Sequence, residues 1–236
     1  MKESTTNSPA AGWVVAITGA IIVGYLFSTN GDPKPFEVYN FNNTGLCLWM
    51  PLMILMLVLR LEPSEFGLTI GDSKTGFRWS FVLWLLMLIP VIVASFRPEF
   101  RTEYLTEKLS QFLQGVGPVY NGLFVNKKSL LYYELSMGFY MFCWEFFFRG
   151  YLLFGLKRLL KNDHWAVILQ TIPFALLHWS WQAGASKPGL EILGSIPAGI
   201  ALGYFALKTR SCVYGFLTHW AVSATLDVLL LLHVYR

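Results

Sequence analysis

Long apolar runs separated by short polar stretches make up most of this chain. A helix needs about 20 apolar residues to cross the hydrocarbon core of a bilayer, and most of the runs approach that length. Each run therefore predicts one membrane-spanning helix. The predicted spans are residues 12–27, 45–61, 77–96, 130–160, 164–182, 189–207 and 212–232.

The connections between these runs are polar and rich in turn-forming residues. The longest of them, residues 97–129, has apolar residues at Leu105, Leu109 and Phe112/Leu113, which recur with helical spacing among charged neighbours. This pattern predicts an interfacial amphipathic helix that lies over the bundle. A solvated connecting loop is the alternative interpretation. The run 130–160 exceeds one perpendicular span, so its helix is expected to tilt or to extend out of the membrane.

Composition identifies the class of protein. Of 236 residues, 55% are hydrophobic and 14% are charged, and the mean hydropathy is +0.50, which is far too apolar for a soluble domain. We expect an all-α fold, a polytopic transmembrane helical bundle of about seven spans. The net charge of +4 is spread over the connections, which gives no support to nucleic-acid binding. Cys47, Cys143 and Cys212 show no paired spacing, so neither a disulfide framework nor a structural zinc site is predicted.

The distribution of basic residues predicts the orientation in the membrane. With seven spans, the N-terminus lies on the same side as the connections 60–78, 157–163 and 208–211. These short segments hold most of the lysines and arginines that flank the spans. Because such residues are enriched in cytoplasmic loops, we expect a cytoplasmic N-terminus.

One charged pair interrupts the fourth apolar run. Glu145 and Arg149 are four residues apart in an otherwise uncharged segment, a spacing at which side chains meet on one helix face. A charge in the hydrocarbon core costs at least about 3 kcal/mol, so intramembrane charges normally face the protein interior and mark a functional site. The alternative is a structural ion pair, Arg149 with Glu145, that joins neighbouring helices and takes part in no chemistry.

Four further polar residues fall on later spans: His178 on the fifth, and His219, Ser223 and Asp227 on the seventh. The last three are spaced four residues apart and project from one helix face. With Glu145 they supply a carboxylate and an imidazole that can activate a water, and groups that can bind the oxyanion of an attacked carbonyl. These groups suit hydrolysis of an amide in the bilayer. Glu145, His178 and His219 also form a donor set that can hold zinc, so metal catalysis stays open.

Three short motifs follow one another on these spans. They are Glu145 with Arg149, Phe174 with His178, and His219 with Ser223, each pair four residues apart. In order and spacing they resemble the EExxxR, FxxxH and HxxxN motifs of the CPBP intramembrane proteases, the family of the CaaX prenyl endopeptidases. The similarity covers about residues 130–230. It divides the chain into residues 1–129, with the N-terminal spans and the interfacial segment, and residues 130–236, the membrane core of the family.

The resemblance implies an intramembrane endopeptidase in a bacterial cytoplasmic membrane. Its expected partners are the lipid bilayer and a membrane-associated protein or peptide substrate, lipidated substrates included. Our hypothesis for this chain assigns activation of the water to Glu145, or to a substitute carboxylate, together with His178, and stabilisation of the oxyanion to His219 and Ser223. It assigns to Arg149 the pairing with Glu145.

The chain departs from the family pattern at two positions. Trp144 stands where the first motif has its water-activating glutamate, and Ser223 stands where the third motif has asparagine. Since tryptophan cannot act as a base, Glu145 or the substitute carboxylate Asp227 has to take that part in an active enzyme. The alternative interpretation is a catalytically inactive member that serves as a membrane binding or scaffolding protein.

Overall fold

The computed structural model describes residues 9–30, 35–98, 125–178 and 189–234. Of these described residues 89% are helical and none belongs to a strand, which confirms the predicted all-α class. They form seven helices. These are α1 (Pro9–Thr29), α2 (Phe36–Thr44, continued by Gly45–Trp49, Met50–Met53 and Ile54–Leu59), α3 (Ser73–Ser95), α4 (Lys127–Glu145, continued by Phe146–Leu152 and Leu153–Leu160), α5 (Asp163–His178), α6 (Gly189–Thr209) and α7 (Val213–Val234).

Four of these helical segments are long and apolar enough to cross a membrane. They are Pro9–Thr29, Glu37–Leu59, Ser73–Ser95 and Val213–His233. Large apolar side chains such as Trp13, Ile21, Leu57, Phe81 and Ile89 are more than half exposed on them, as expected for helices whose outer faces contact lipid. The predicted polytopic helical bundle is confirmed, whereas the number of seven spans stays a prediction.

Most helix boundaries lie within a few residues of the predicted ones, and α2 is the exception. It begins at Phe36 rather than at residue 45, because its first segment, Phe36–Thr44, is helical although it is rich in asparagine. A search for apolar runs misses such a polar start. Most of the predicted interfacial helix falls on residues 99–124, outside the described residues, as does the end of the fifth predicted span.

Helix α4 changes from α to π geometry directly after Glu145. The π-helical segment Phe146–Leu152 contains Arg149 and is buried along its whole length. Within it, Gly150 approaches the carbonyl of Phe66 so closely that an added Cβ would lie 2.6 Å from that oxygen. π-helical turns inside α-helices occur frequently at functional sites, and here the turn carries one of the predicted site residues.

Glycines allow two pairs of helices to approach closely. Gly12 and Gly19 of α1, and Gly155 of α4, each lie so near the opposite helix that an added Cβ would overlap it. Gly199 and Gly203 of α6 lie in the same way against α5. Membrane bundles use small residues in this manner, because close van der Waals packing replaces the hydrophobic effect between helices in lipid.

An amide pair joins the end of α1 to α2. Asn30 follows α1, and its side-chain amide exchanges two hydrogen bonds with that of Asn43, each with an N–O distance of 3.1 Å. Asn43 is fully buried and also donates to the carbonyl of Tyr39 at 2.8 Å. The pair satisfies polar groups that would otherwise be costly to bury.

The connection between α2 and α3 packs across the end of the bundle where α7 begins. Cys212 N donates to the carbonyl of Gly67 at 2.9 Å, and Asp72 N donates to that of Thr209 at 3.1 Å. Gly67 and Gly71 have φ angles of +79° and +56°, a region that glycine enters without a steric penalty. This connection therefore holds the first turn of α7 in place, and that turn contributes to the site.

Candidate functional site

Helices α4 and α7 lie side by side in opposite directions. Glu145 of α4 meets Gly215 and His219 near the start of α7. Glu134, earlier in α4, lies against Asp227, later in α7. The polar residues of the two helices therefore face one another along this interface.

Glu145 and Arg149 form a buried ion pair on α4. Both side chains are fully buried, and Arg149 Nη1 lies 3.0 Å from Glu145 Oε1. The two groups do not meet the geometry of an aligned hydrogen bond, and Arg149 Nε and Nη2 have no acceptor among the described residues. The guanidinium instead stacks on the ring of Phe174, with Cζ 3.8 Å from the ring centroid. This cation–π contact offsets part of the cost of burying the charge.

His219 contacts the same carboxylate oxygen from α7. Its Nδ1 lies 2.9 Å from Glu145 Oε1. Since a carboxylate can only accept, Nδ1 carries the proton, and Nε2 keeps the lone pair of the neutral ring. The imidazole is 24% exposed whereas the carboxylate is fully buried. A buried acid that fixes the tautomer of a more accessible imidazole is the arrangement of a general base.

Gly215, in the first turn of α7, makes room for the Glu145 carboxylate. An added Cβ at this position would lie 2.8 Å from Glu145 Oε2, which accepts no hydrogen bond from a described residue. The N-terminal turn of a helix carries partial positive charge, so the start of α7 places the positive end of a helix dipole beside this carboxylate. Sequence reasoning misses Gly215, because a glycine in a membrane helix gives no sign of what it accommodates.

His178 is the last residue of α5. Its Nδ1 lies 2.8 Å from the carbonyl oxygen of Phe174, one turn earlier in the helix. Because a carbonyl can only accept, Nδ1 is again the protonated nitrogen and Nε2 is the acceptor. Both histidines of the site therefore present the same tautomer.

Phe174 is the residue around which the site is arranged. Its ring centroid lies 4.6 Å from that of His178 and 6.3 Å from that of His219, and the guanidinium of Arg149 stacks on it. Residues from α4, α5 and α7 thus gather around one aromatic ring. In the sequence, Phe174 is marked only as the first position of the FxxxH motif.

Trp144 occupies the position at which the family pattern has its first glutamate. Its side chain is 4% exposed, and its ring packs edge-on against His178 with a centroid distance of 6.1 Å. The indole Nε1 is buried with no acceptor among the described residues. Two consecutive residues of α4 therefore contact different histidines. Trp144 faces His178, and Glu145 faces His219.

The remaining two predicted site residues follow on α7. Ser223 lies one turn after His219 and is partly exposed. Asp227 is buried one turn further on, where it lies against Glu134 of α4. Two turns of helix correspond to about 11 Å, so Asp227 is remote from the contact between Glu145 and His219. Its position gives no support to a role as a substitute carboxylate.

The site residues do not have the arrangement of a zinc centre. In the part of the chain that the structure describes, no group of three or more His, Cys, Asp or Glu side chains is placed to hold a metal ion. Glu145 Oε1 is engaged by Arg149 and by His219 Nδ1. The zinc ligand set of Glu145, His178 and His219, which the sequence left open, does not fit this geometry.

The helical bundle and its buried acid–base cluster define a multi-pass integral membrane protein with a polar site between its helices. A family model described as type II CAAX prenyl endopeptidase Rce1-like matches residues 78–225. The match covers more than half of the chain, and the protein therefore belongs to this family. It confirms the resemblance drawn from the three motifs. Neither the curated proteins nor the solved structures yielded a match.

The matched region begins in α3 and ends in α7. It contains the whole cluster around Phe174 and excludes Asp227, which lies beyond residue 225. It also begins well before residue 130, where the motifs alone place the start of the family core. The division of the chain at residue 130 stays a prediction.

Proposed function

We propose that this protein is an intramembrane endopeptidase that hydrolyses a peptide bond of a membrane-associated protein or peptide, lipidated substrates included. Membership of the type II CAAX prenyl endopeptidase Rce1-like family supports a protease-type function. The observation that carries the proposal is the contact of 2.9 Å between Glu145 Oε1 and His219 Nδ1, because it prepares an imidazole as a base within the bundle.

In the first step His219 acts as the general base. Glu145 holds its Nδ1–H, so Nε2 takes a proton from a water molecule while the water oxygen attacks the substrate carbonyl. The imidazolium that forms lies beside the buried carboxylate, which stabilises its charge. The sequence-based hypothesis gave this step to Glu145 with His178. The contact between Glu145 and His219 is the reason for assigning the base to His219 instead.

The second step requires donors for the oxyanion and a proton for the leaving amine. Ser223, one turn after His219, supplies a hydroxyl donor, whereas His178, whose Nε2 is an acceptor, helps to hold the attacking water from the side of α5. The protonated His219 Nε2 then returns its proton to the leaving nitrogen, the C–N bond breaks, and the ring becomes neutral again. Arg149 balances the charge of Glu145 throughout, and acts as a positioning residue.

For the location we propose a bacterial cytoplasmic membrane with the N-terminus in the cytoplasm. Helix α1 begins at the end of the bundle at which α4 finishes, since Gly12 packs against Leu159. Helix α6 finishes at the same end, because the connection between α2 and α3 contacts both Arg158 and Thr209. Lys157, Arg158 and Lys208 lie in the last turns of α4 and α6. A basic cluster at one end of a bundle is typical of the cytoplasmic side.

One observation favours a second function, a catalytically inactive family member that binds or scaffolds membrane proteins. The ring of Trp144 packs against His178, at the position where the family pattern has the carboxylate that activates water. In this case the ion pair of Glu145 and Arg149 and its contact with His219 serve to hold α4 against α7.

Cleavage of a membrane-anchored reporter distinguishes the two functions. Wild type, His219→Gln and Glu145→Gln would be expressed at matched levels, and release of a soluble tag would be measured. For an enzyme, His219→Gln should reduce the rate by about 100-fold or more, the usual contribution of a general base.

His164→Gln is the matched control. His164 lies in the first turn of α5 with Nδ1 2.5 Å from the hydroxyl of Tyr204, and it takes no part in the cluster around Phe174. This variant should cleave as wild type does. Equal cleavage by wild type and His219→Gln, or none by wild type, would contradict the proposed enzyme and favour the inactive member.

A further inference from the structure

A crevice between the first turns of α2 and the first half of α4 is separate from the cluster around Phe174. It has a volume of about 210 Å³. Its walls include Glu37, Asn40 and Phe41 from α2 and Tyr132, Ser136 and Phe139 from α4. The proposed protease chemistry uses none of these residues, and the family match does not explain why a carboxylate lies there.

Three aromatic side chains form the walls of this crevice around one carboxylate. Phe41 is 77% exposed, Tyr132 45% and Phe139 47%. Glu37 is one helical turn before Phe41, and Tyr132 is two turns before Phe139, so each pair projects from one face of its helix. Aromatic faces and a carboxylate together attract an organic cation, through the ring quadrupoles and through charge. A purely apolar ligand would make no favourable interaction with the carboxylate of Glu37.

Glu37 distinguishes between organic cations. A carboxylate accepts charge-assisted hydrogen bonds from a primary ammonium, whereas a quaternary ammonium has no N–H to donate. Asn40, in the same wall, is engaged with α4, because its Nδ2 donates to the carbonyl of Ser136 in a long hydrogen bond of 3.4 Å.

A basic residue lies on the outer side of the crevice. Lys128 is one turn before Tyr132 and is exposed at the start of α4. It therefore projects from the same helix face as Tyr132, on the side toward the helix end. This places a cation for an anionic group beyond the ammonium site. The order of charges fits a ligand with a primary ammonium at its tip and a phosphate behind it.

We propose that this crevice binds the headgroup of a phospholipid that carries a primary ammonium, namely a phosphatidylethanolamine. The ammonium donates to Glu37 within the aromatic walls, and the phosphate lies near Lys128. The crevice lies at the ends of two helices, one of them a candidate span, so it is at the level where headgroups occur.

Lipid binding to the purified full chain in detergent tests this proposal. Short-chain phosphatidylethanolamine, phosphatidylcholine and phosphatidylglycerol would each be titrated, and binding would be followed by native mass spectrometry. Phosphatidylethanolamine should bind about tenfold more tightly than phosphatidylcholine, the scale of one lost charge-assisted contact. Glu37→Gln should remove this preference, whereas Asp163→Asn, an exposed carboxylate at the opposite end of the bundle, should keep it.

Competition by small molecules provides a second measurement that needs no variant. Phosphoethanolamine should displace the bound lipid at concentrations at which phosphocholine does not. Equal binding of the three lipids, or an unchanged preference in Glu37→Gln, would overturn the proposal. Stronger displacement by a lysine-containing peptide than by phosphoethanolamine would overturn it as well, because the crevice would then be a site for a peptide side chain.

Discussion

Glu145 Oε1 lies 2.9 Å from His219 Nδ1, and this contact joins two helices whose residues are 74 positions apart in the sequence. The same oxygen is 3.0 Å from Arg149 Nη1. One buried oxygen atom therefore contacts a cationic side chain of its own helix and a hydrogen-bond donor of another helix. A substitution at any of the three residues changes the environment of the other two.

Removal of Arg149 should destabilise the fold strongly. Arg149→Ala leaves the fully buried carboxylate of Glu145 without its counter-ion, and breaking a buried pair in this way costs about 3–5 kcal/mol. His178→Ala should cost less, on the order of 1 kcal/mol, because it removes a hydrogen bond to its own helix and ring contacts with Trp144 and Phe174 but leaves no buried charge unpaired. Thermal unfolding in detergent measures both.

Arg158→Ala is a matched control for the arginine. Arg158 also pairs with a carboxylate, that of Glu65 at 3.0 Å, and also stacks on a ring, that of Phe66, but the pair is partly exposed. Its loss should cost no more than about 1 kcal/mol. Similar losses of stability in the Arg149, Arg158 and His178 variants would mean that burial does not increase the contribution of the Glu145–Arg149 pair to the stability of the fold.

A methyl group at position 215 should displace the carboxylate of Glu145 without changing its chemical nature. In Gly215→Ala the new Cβ lies 2.8 Å from Glu145 Oε2, so the carboxylate must turn away from α7 and lengthen its contact with His219. Reporter cleavage should fall by about tenfold or more, since a small misplacement of a catalytic group is costly. Gly24→Ala, where nothing lies within 4 Å of the added Cβ, should cleave as wild type does. Equal effects of the two substitutions would show that the space at Gly215 is not needed.

Introduction of a carboxylate at position 144 should restore the family pattern beside His178. Trp144→Glu should cleave the reporter at least about tenfold faster than Trp144→Gln, which removes the same ring without adding a base. Both variants lose a buried aromatic ring, so both should melt at a lower temperature, and the glutamate variant more so because it buries a charge. If the two variants cleave at the same rate, a carboxylate at this position contributes no base.

Asp72 should make the stability of the α3 end depend on pH. It caps α3, and the hydrogen bonds from the Thr75 side chain and backbone lower the pKa of the Asp72 carboxyl below its ordinary value of 3.8. A lowered pKa stabilises the folded state above the ordinary value, and this stabilisation is lost as the pH falls through the folded-state pKa. Melting temperatures between about pH 6 and pH 2.5 should therefore fall more steeply for wild type than for Asp72→Asn, which keeps the cap acceptor. Parallel curves would contradict this assignment.

The class of fold and the residues of the candidate site could be predicted from the sequence, because lipid imposes simple rules. Apolar runs of span length predict helices, and charges within such runs must turn inward. For this reason Glu145, Arg149 and His219 could be singled out before their contacts were known. The polar first segment of α2 was not predicted to be helical, because asparagines that bond to neighbouring helices resemble the residues of a loop.

The pairing within the site could not be predicted from spacing. A helical wheel places Glu145 and Trp144 about 100° apart, but it does not show which of them faces His178 and which faces His219. That division depends on where α5 and α7 pack against α4, on the π-helical turn that follows Glu145, and on the space that Gly215 provides. These are properties of tertiary packing, and they produce no periodic pattern in the amino-acid sequence.

The amide pair of Asn30 and Asn43 has a consequence for how relatives of this protein diverge. Each side chain supplies the donor and the acceptor that the other needs, so replacement of one leaves its buried counterpart unsatisfied. Replacement of both by apolar residues of matching shape carries no such penalty. In an alignment of close homologues, the two positions should therefore change together, as two asparagines or as two apolar residues, with mixed pairs under-represented.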